Sequence, residues 1–423
     1  MLTGLKAWIW LTQRLDCGPA WQVLHHFSSP EAAYFADPAE YALIPKLTDA
    51  HRKLLSDKSL AVADQILARC DANHIGILTW QDSNYPQRLR NIDLPPLVLY
   101  FRGTLPRFDE EIAIAMAGTR KATPYGRKAA AELAFQITRL GGLVLTGIVE
   151  GCDRYAVDGA LKAGGPLVCV LAGGVDVPYY NTQDNRRLLE DVAACGALIS
   201  EYAPGSPHLP EHFARRNRLL TGLAVGALCV EAPQRSGTLG VARLALEQSR
   251  DVYAIPANID AEASVGTNRL LTRGEAICVC SGADVLEHYW PLFPQRRAGR
   301  SPLSHRAQQQ RLSSAPPASG PEQRPAQWAE RSPKHPQKQK ETPTAPAAGS
   351  LRELRLNEHK SEFTDDELAV LRALEHGALV TDAIVARSGL PARRVSATLT
   401  VLTIRSLVKQ LPGGRFEALV KLT

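Results

Sequence analysis

The sequence of 423 residues contains no cysteine pair at the spacing of a metal site and no long apolar run. Its eight cysteines include no C-x-x-C pair and no cluster with histidine, so we expect reduced thiols that are mostly buried. The apolar stretch near the amino terminus is short and is interrupted by Thr12, which is too weak for a secretory signal or a membrane span. These absences predict a cytoplasmic protein with no bound metal and no membrane partner.

Motifs of several enzyme classes are also missing. The sequence has no Walker A motif, no dinucleotide-binding G-x-G-x-x-G, no H-E-x-x-H and no G-x-S-x-G. His208 and His212 lie four residues apart, but no carboxylate or cysteine stands at a spacing that would complete a metal site. We therefore expect no cofactor and no catalytic residues.

The formal charge of +6 is unevenly placed along the sequence. Residues 295–350 carry ten Lys and Arg against three acidic residues, so the remainder is close to neutral. The same region is rich in Pro, Gln, Ser and Ala, a composition that cannot bury enough surface to offset the entropy of ordering. We predict a basic disordered linker over residues 293–360, which acts either as a nucleic-acid tether or as a solvated spacer.

Three folded domains are expected around this linker. Residues 1–102 have helical spacing, including one helix through residues 54–72. Residues 103–292 alternate short apolar runs with helical patterns, which predicts a doubly wound, mostly parallel α/β sheet. The predicted strands are 112–117, 143–146, 167–172, 197–200, 227–231, 252–256 and 276–280. The predicted helices between them are 125–140, 153–163, 184–194, 212–223, 237–249 and 266–272.

Residues 361–423 have the pattern of a winged helix. Thr364 and Glu367 form a capping box before a first helix, and Pro391 opens the third. A hairpin with its turn at Gly413 and Gly414 follows the third helix. If this domain reads DNA, the third helix enters the major groove. Its polar residues are Arg393, Arg394, Ser396 and Thr398. Acidic residues crowd the first helix, so a protein-binding winged helix is an equally good interpretation.

Short loops with glycine follow four of the predicted strands. Gly118 in the first loop lets the backbone come close to a ligand, and Thr119, Arg120 and Lys121 add a hydroxyl and two cations. Open α/β sheets bind ligands at the carboxyl ends of their strands, where N–H groups at a helix start favour anions. The other loops contain Gly147 and Gly151, with Asp153 as a helix cap; then Gly173 and Gly174; then Ser236, Gly237 and Thr238. Together they predict a phosphate cradle.

A cluster of arginines in the fourth predicted helix adds positive charge. It consists of Arg215, Arg216, Asn217 and Arg218 and follows Phe213, on whose ring a base could stack. Like charges packed this closely favour an anionic partner. We expect Arg216 or Arg218 to pair with an acidic residue and the other arginines to contact phosphate. Glu201 and Glu231 are the acidic candidates.

Five ordered segments of the central domain resemble the DprA/Smf family of DNA-processing proteins. They are residues 118–126 (GTRKATPYG), 146–161 (TGIVEGCDRYAVDGAL), 200–224 (SEYAPGSPHLPEHFARRNRLLTGLA), 230–246 (VEAPQRSGTLGVARLAL) and 264–276 (SVGTNRLLTRGEA). The helical amino-terminal segment resembles the SAM-like unit of that family, and the carboxyl-terminal domain resembles the winged helix that many members carry.

The resemblance implies an extended Rossmann domain that binds single-stranded DNA without known catalysis. It also implies a homodimer that protects incoming single strands and loads the RecA recombinase during natural transformation. The family motifs fall on Gly118, Thr119 and Arg120, on Arg216, Asn217 and Arg218, and on Ser236, Gly237 and Thr238.

Three positions depart from the family pattern. Glu150 stands where a basic residue is usual, Val157 where histidine is usual, and Ala214 where proline is common. Glu150 brings a negative charge to the expected DNA-binding rim. It therefore either weakens DNA binding or is paired by a neighbouring arginine.

Two other functions fit parts of the sequence. A nucleotide-processing Rossmann enzyme of the LOG type would carry a Gly-Gly-x-Gly-Thr-x-x-Glu run, but the nearest match, residues 236–241, lacks the acid. A regulator of duplex DNA would act through the winged helix. That function predicts that residues 361–423 bind a duplex and that the central domain does not.

Overall fold

The computed structural model describes residues 2–297, 299, 352–354, 363–411 without 376 and 406, and 415–422. It divides into two compact units, Met1–Gly320 and Pro321–Thr423. Most of the predicted linker and the predicted hairpin turn at Gly413 and Gly414 lie outside the described residues. The predicted domain boundaries at residues 102, 292 and 360 remain predictions.

The first unit begins with short helices around an aromatic core. They are α1 (Gly4–Arg14), α2 (Cys17–Phe27), α3 (Pro30–Phe35), α4 (Asp49–Ser56) and α5 (Ala61–Ala72). Trp10 and Tyr41 are fully buried among them. The ring of Trp10 meets that of Tyr34 edge to face, with 5.2 Å between the ring centroids.

The prediction of one helix through residues 54–72 is wrong, because the chain forms α4 and α5 with a break between them. The indole N–H of Trp10 donates to the carbonyl of Asp57 at 2.9 Å. The hydroxyl of Tyr34 donates to the carbonyl of Lys58 at 2.7 Å. A continuous helix would need both carbonyls for its own ladder. The donors come from α1 and α3, so local helical spacing could not reveal the break.

A nine-stranded sheet forms the centre of the first unit. Its strands are β1 (Gly76–Thr79), β2 (Val98–Gly103), β3 (Ala113–Ala117), β4 (Leu143–Thr146), β5 (Leu167–Val170), β6 (Ala197–Ser200), β7 (Gly226–Cys229), β8 (Asp251–Ala254) and β9 (Ile277–Cys278). Their order across the sheet is β1-β2-β6-β5-β4-β3-β7-β8-β9. The pairs β1–β2 and β2–β6 are antiparallel and the others are parallel. Two strands that begin before residue 103 therefore belong to this sheet.

Helices cover both faces of the sheet, as expected for a doubly wound fold. They are α6 (Gln87–Arg90), α7 (Pro124–Arg139), α8 (Cys152–Ala163), α9 (Gln183–Cys195), α10 (Pro210–Gly222), α11 (Gly237–Glu247), α12 (Val265–Thr272) and α13 (Gly282–Leu286). Alternate residues of β3 enter two separate apolar cores: Ile114 and Met116 pack into one, and Ala113 and Ala115 into the other. The predicted α/β fold is confirmed.

The chain reverses direction across the sheet between β3 and β7. From β3 it proceeds through β4 and β5 to β6 on one side, and β7, β8 and β9 extend the other side. Loops that leave β3 and β7 therefore diverge at their carboxyl ends. This divergence opens the crevice in which such sheets bind ligands.

In its described residues, the second unit contains three helices and short strands. They are α14 (Asp365–Ala373), α15 (Thr381–Ser388), α16 (Ala392–Ile404), β10 (Arg352–Leu354), β11 (Leu379–Val380), β12 (Val408–Leu411), β13 (Arg415–Ala418) and β14 (Val420–Leu422). Thr364 and Glu367 form the predicted capping box at the start of α14. The three helices share one apolar core, in which Leu371, Ile384 and Leu399 are buried. This arrangement of helices and hairpin is the predicted winged helix.

Candidate nucleic-acid interface

The turn after β3 is locked between two neighbouring loops. The N–H of Thr119 donates to the carbonyl of Glu231 at 2.8 Å, and the N–H of Cys152 donates to the carbonyl of Thr119 at 3.1 Å. A Cβ atom on Gly118 would lie 2.4 Å from the sulfur of Cys152. Gly151 has φ +87°, and a Cβ atom there would lie 2.2 Å from the carbonyl oxygen of Thr119. Both glycines are therefore needed for this close approach of the first two loops.

Arg120 projects from this turn as an exposed cation. Its guanidinium carbon lies 4.5 Å from the centroid of the Phe213 ring, and its Nη1 donates to the hydroxyl of Tyr179 at 3.3 Å. Tyr179 in turn meets Phe213 edge to face at 5.6 Å. Arg120 forms no salt bridge with any described residue. Lys121 beside it is also exposed. Two adjacent cations thus face solvent at the carboxyl edge of the sheet.

A cleft of about 670 Å³ lies next to the same turn. Thr119 and Lys121 line one side of it, and Pro233 and Pro256 line another. Tyr125 stands at this cleft with its side chain 48% exposed, and its hydroxyl donates to the carbonyl of Pro256 at 2.7 Å. The cleft is therefore lined both by an exposed cation, Lys121, and by the exposed ring of Tyr125, whose hydroxyl is held by a hydrogen bond.

The start of α7 already holds a carboxylate. Buried Glu231 accepts hydrogen bonds from the N–H of Thr123 at 2.9 Å and from its hydroxyl at 2.6 Å. A Cβ atom on Gly126 would lie 2.2 Å from Oε2 of Glu231. The prediction that free N–H groups at this helix start would receive an external anion is therefore wrong. A phosphate at this edge would have to rely on exposed side chains.

Arg216 is buried in a pair with Asp153, at 3.8 Å between Nη2 and Oδ2. The Asp153 carboxylate also accepts hydrogen bonds from the N–H groups of Gly118 and Gly147. Burial raises the pKa of Asp153 to about 6, against the opposing effects of Arg216, of Arg120 and of these N–H groups. Asp153 was predicted to cap α8, but the cap residue is Gly151 and no side chain caps the helix. Asp153 instead connects the turns at Gly118 and Gly147 to Arg216 on α10.

The other two arginines of the cluster are also paired. Arg218 forms a salt bridge with Glu201, and Arg215 forms one with Asp16 at 2.9 Å. The expectation that only one arginine would form a salt bridge is therefore wrong. The Arg218–Glu201 pair is nevertheless one of the pairs that were predicted. Asp16 lies 199 residues earlier in the sequence, so spacing gave no indication of it. The Arg215 side chain remains 35% exposed, against 13% for Arg218.

The loop after β7 lies at the same edge of the sheet, but its hydroxyl groups form hydrogen bonds within the loop itself. Ser236 Oγ accepts a hydrogen bond from the N–H of Thr238 at 3.2 Å and thereby caps α11. Thr238 is buried, whereas Gly237 is exposed with open space around it. Asn217 is half-buried within α10. The structure thus places the predicted site residues on adjoining loops but leaves only some of them exposed.

Two residues that support Arg120, Tyr179 and His208, were not predicted from the sequence to do so. Tyr179 follows β5, and the edge of its ring meets the ring of His208 at 5.7 Å. The Nε2–H of His208 donates to the carbonyl of Val177 at 2.8 Å, and burial lowers the pKa of His208. The adjacent tyrosines Tyr179 and Tyr180 in a loop at the binding edge were the one available signal.

Glu150 is exposed in the loop after β4. It forms no salt bridge within the described part of the molecule. Both Glu150 and Arg120 act electrostatically on Tyr180, so they share one neighbourhood. The negative charge of Glu150 is therefore not neutralised by an arginine here.

The third helix of the winged helix has little free positive charge among its described side chains. Arg394 forms two hydrogen bonds to Asp366, at 2.8 and 2.5 Å. Thr398, predicted to face a groove, is buried. The side chains of Arg393 and Ser396 lie outside the described residues. Arg394 on α16 thus has a carboxylate partner on α14.

Neither unit contains, in the residues described, a helix with the length and apolar character to span a membrane. Residues 76–290 match the family model described as DNA recombination-mediator protein A, and residues 340–414 match the DprA winged helix domain. The sequence is 28% identical to Protein Smf of Synechocystis over 98% of that protein and 97% of this chain. It is 31% identical to the DNA processing protein DprA of Bacillus subtilis over 74% of that protein and 53% of this chain.

A solved structure shows the same fold. The crystal structure of DNA processing protein A from Streptococcus pneumoniae superposes with a TM-score of 0.59 and 27% identity. The superposition covers 98% of that protein and 68% of this chain. The family models and these relatives agree with the sheet and winged helix described above, and the chain belongs to the DNA recombination-mediator protein A family, also called DprA/Smf.

Proposed function

We propose that this protein binds single-stranded DNA along the carboxyl edge of its sheet and leaves the strand intact. The observation that carries this proposal is Arg120, an exposed cation that stacks on Phe213 and has no carboxylate partner among the described residues. Thr119 and Lys121 adjoin it and line the neighbouring cleft. A backbone phosphate on this turn would give Arg120 the direct ionic hydrogen bond that no described carboxylate provides.

The arginine cluster supports this surface in two different ways. Arg216 and Arg218 are nearly buried in salt bridges, so they position α10. Arg215 is the most exposed of the three, and a phosphate could take it over from Asp16, its partner at 2.9 Å. Gly147 and Gly151 let the loops close around Asp153 and Thr119, and Gly237 leaves space at the start of α11.

Bases would stack on Tyr125, whose ring is exposed and whose hydroxyl is fixed to Pro256. Arg120 covers one face of Phe213, which leaves that ring less accessible than Tyr125. Stacking accepts every base, so binding should be tolerant of sequence. Phosphate neutralisation releases counterions, so binding should weaken steeply with salt.

In the cell, this activity would serve recombination. We infer from family membership that the protein is a cytoplasmic homodimer that protects incoming single strands and loads RecA onto them during natural transformation. No step of this role requires hydrolysis, so we propose a mediator and not an enzyme. The pairing of Arg394 with Asp366 disfavours duplex regulation through the winged helix as the main activity.

A titration with two labelled DNAs of equal length tests the proposal. Fluorescence anisotropy of the full-length protein with a single strand and with a duplex should show tighter binding of the single strand, and the strand should be recovered uncut on a denaturing gel. RecA filament formation on a strand coated with single-strand-binding protein should accelerate when the protein is added. Preference for the duplex, or cleavage, would overturn the binding proposal; binding without acceleration would overturn only the loading role.

A further inference from the structure

Two exposed cysteines lie at the free edge of the sheet. Cys278 ends β9, the outermost strand, and Cys280 follows two residues later. Val279 between them is buried, so the two thiols project on the opposite side, toward solvent. The other six cysteines are buried or half-buried. This pair therefore differs from every other thiol in its accessibility.

The two thiols are neighbours, separated by one residue. Partial desolvation together with the neighbouring sulfur of Cys280 raises the pKa of Cys278. Two residues of extended backbone span about 6.6 Å between Cα atoms, within the range of up to about 6.8 Å that disulfides tolerate. This spacing is near the upper limit, so a bond between these sulfurs requires the backbone to bend, and the strand ends at Cys278 with a bend at Cys280.

Metal binding is the weaker interpretation of this pair. No group of three His, Cys, Asp or Glu side chains capable of holding a metal occurs in the part of the molecule that the structure describes. The nearest carboxylate, Asp284, already accepts hydrogen bonds from the N–H groups of Cys280 and Ser281, at 2.8 and 2.9 Å. Two sulfurs alone fall short of the four ligands of a structural zinc site.

The pair lies in the neighbourhood of the cleft described above, although neither cysteine lines it. Both sulfurs act electrostatically on Tyr125, the exposed ring that stands at the cleft. Chemistry at these sulfurs would therefore take place beside the proposed DNA-binding surface. The buried cysteines have no such access to solvent.

We propose that Cys278 and Cys280 form a redox-sensitive dithiol that a peroxide closes reversibly into an intramolecular disulfide. The thiolate of Cys280 attacks one peroxide oxygen, so an S–O bond forms, the O–O bond breaks, and hydroxide leaves and takes up a proton. Cys278 then attacks this sulfur, so the S–S bond forms and the S–O bond breaks to release water. Overall, two thiols and one hydrogen peroxide give one disulfide and two waters.

The test treats the full-length protein with hydrogen peroxide, blocks the remaining thiols with iodoacetamide, and maps the peptides by mass spectrometry. The peptide that contains both cysteines should lose two hydrogens and escape alkylation, and dithiothreitol should restore it. Exposed disulfides are more readily reduced than buried structural ones, so the pair should also open in a glutathione buffer.

Matched variants make the result specific. C278S and C280S should each abolish the disulfide-containing peptide, whereas C195S, at a half-buried cysteine elsewhere, should leave it unchanged. Thermal melting checks that all three variants are folded. The proposal is overturned if both sulfurs are alkylated after peroxide treatment, if each is oxidised separately to sulfinic acid, or if non-reducing gels show only disulfides between protein molecules.

Discussion

The Nη2 atom of Arg216 lies 3.8 Å from a carboxylate oxygen of Asp153, and both side chains are more than nine-tenths buried. This pair connects α10 to the start of α8 and to the turns at Gly118 and Gly147. Breaking a buried pair leaves an uncompensated charge, which costs about 3–5 kcal/mol. We therefore expect Arg216→Ala to lower the free energy of unfolding by that amount in urea titrations.

A double-mutant cycle separates this structural role from a phosphate contact. The double variant Arg216→Met with Asp153→Asn should recover part of the lost stability, because it leaves no unpaired charge. If Arg216→Ala is as stable as the wild type and loses only DNA affinity, then Arg216 contacts phosphate directly and the assignment is wrong.

Reversing the charge of Glu150 should strengthen binding of single-stranded DNA. The carboxylate is exposed, makes no salt bridge within the described residues, and shares the neighbourhood of Arg120. At an exposed site we expect a gain of roughly 1 kcal/mol for Glu150→Lys, which is about fivefold in Kd, because such charges are screened by solvent. Fluorescence anisotropy at low salt measures this change.

Glu132→Lys is the matched control for that experiment. Glu132 is an exposed glutamate two turns into α7 and forms no salt bridge with a described residue. An equal gain from both substitutions would show that general charge, and not the position of Glu150, is responsible.

Acid should loosen the support of Arg120 through His208. Burial holds the pKa of His208 below its usual value, so in the acid range the unfolded state binds more protons at this position than the folded state does. The contribution of His208 to the free energy of unfolding is then complete above about pH 6.5. It decreases as the pH drops, by at most about 1.4 kcal/mol per pH unit. The neighbouring Arg216 and the His212 side chain also lower the pKa of His208.

Urea titrations at pH 7.5 and 5.5 measure this effect. His208→Gln keeps a donor toward Val177 but does not titrate, so it should reduce the difference between the two pH values. His26→Gln, at an exposed histidine, should leave the difference unchanged. An unaltered pH dependence in His208→Gln would show that other groups cause it.

Removing Asp366 should increase binding of duplex DNA by the full-length protein. Asp366 holds Arg394 on the third helix of the winged helix, and Asp366→Ala would release this arginine. An exposed pair is worth up to about 1 kcal/mol, so the gain should be at most about fivefold. Strong duplex binding by the wild type, with no change in the variant, would favour the duplex-regulator interpretation instead.

Most strands and helices could be predicted from the sequence, because the apolar runs and helix caps that define them lie close together in the chain. The predicted strands at residues 143–146 and 197–200 match β4 and β6 at both ends. Apolar runs bounded by glycine or by helix caps define such strands without knowledge of their neighbours. The break between α4 and α5 could not be seen, because Trp10 and Tyr34 create it from distant helices.

The site was predicted less completely than the fold. The loops at the carboxyl edge follow from topology, so Gly118 and Arg120 could be placed at that edge from the sequence. Which arginines are neutralised depends on partners such as Asp16 and Asp153, and these are brought close only by tertiary folding. Charge clusters in a sequence therefore overstate the positive surface of the folded protein.

The decisive measurement is the salt dependence of single-strand binding, compared between the wild type and Arg120→Ala, because it shows whether Arg120 neutralises a phosphate. Arg107→Ala is the control, since Arg107 is an exposed arginine that precedes β3 and so lies toward the opposite edge of the sheet. Losing one phosphate contact should weaken binding about tenfold and flatten the slope of log K against log salt by about 0.7, with no change in Arg107→Ala. Equal slopes and affinities for the wild type and Arg120→Ala would contradict the account.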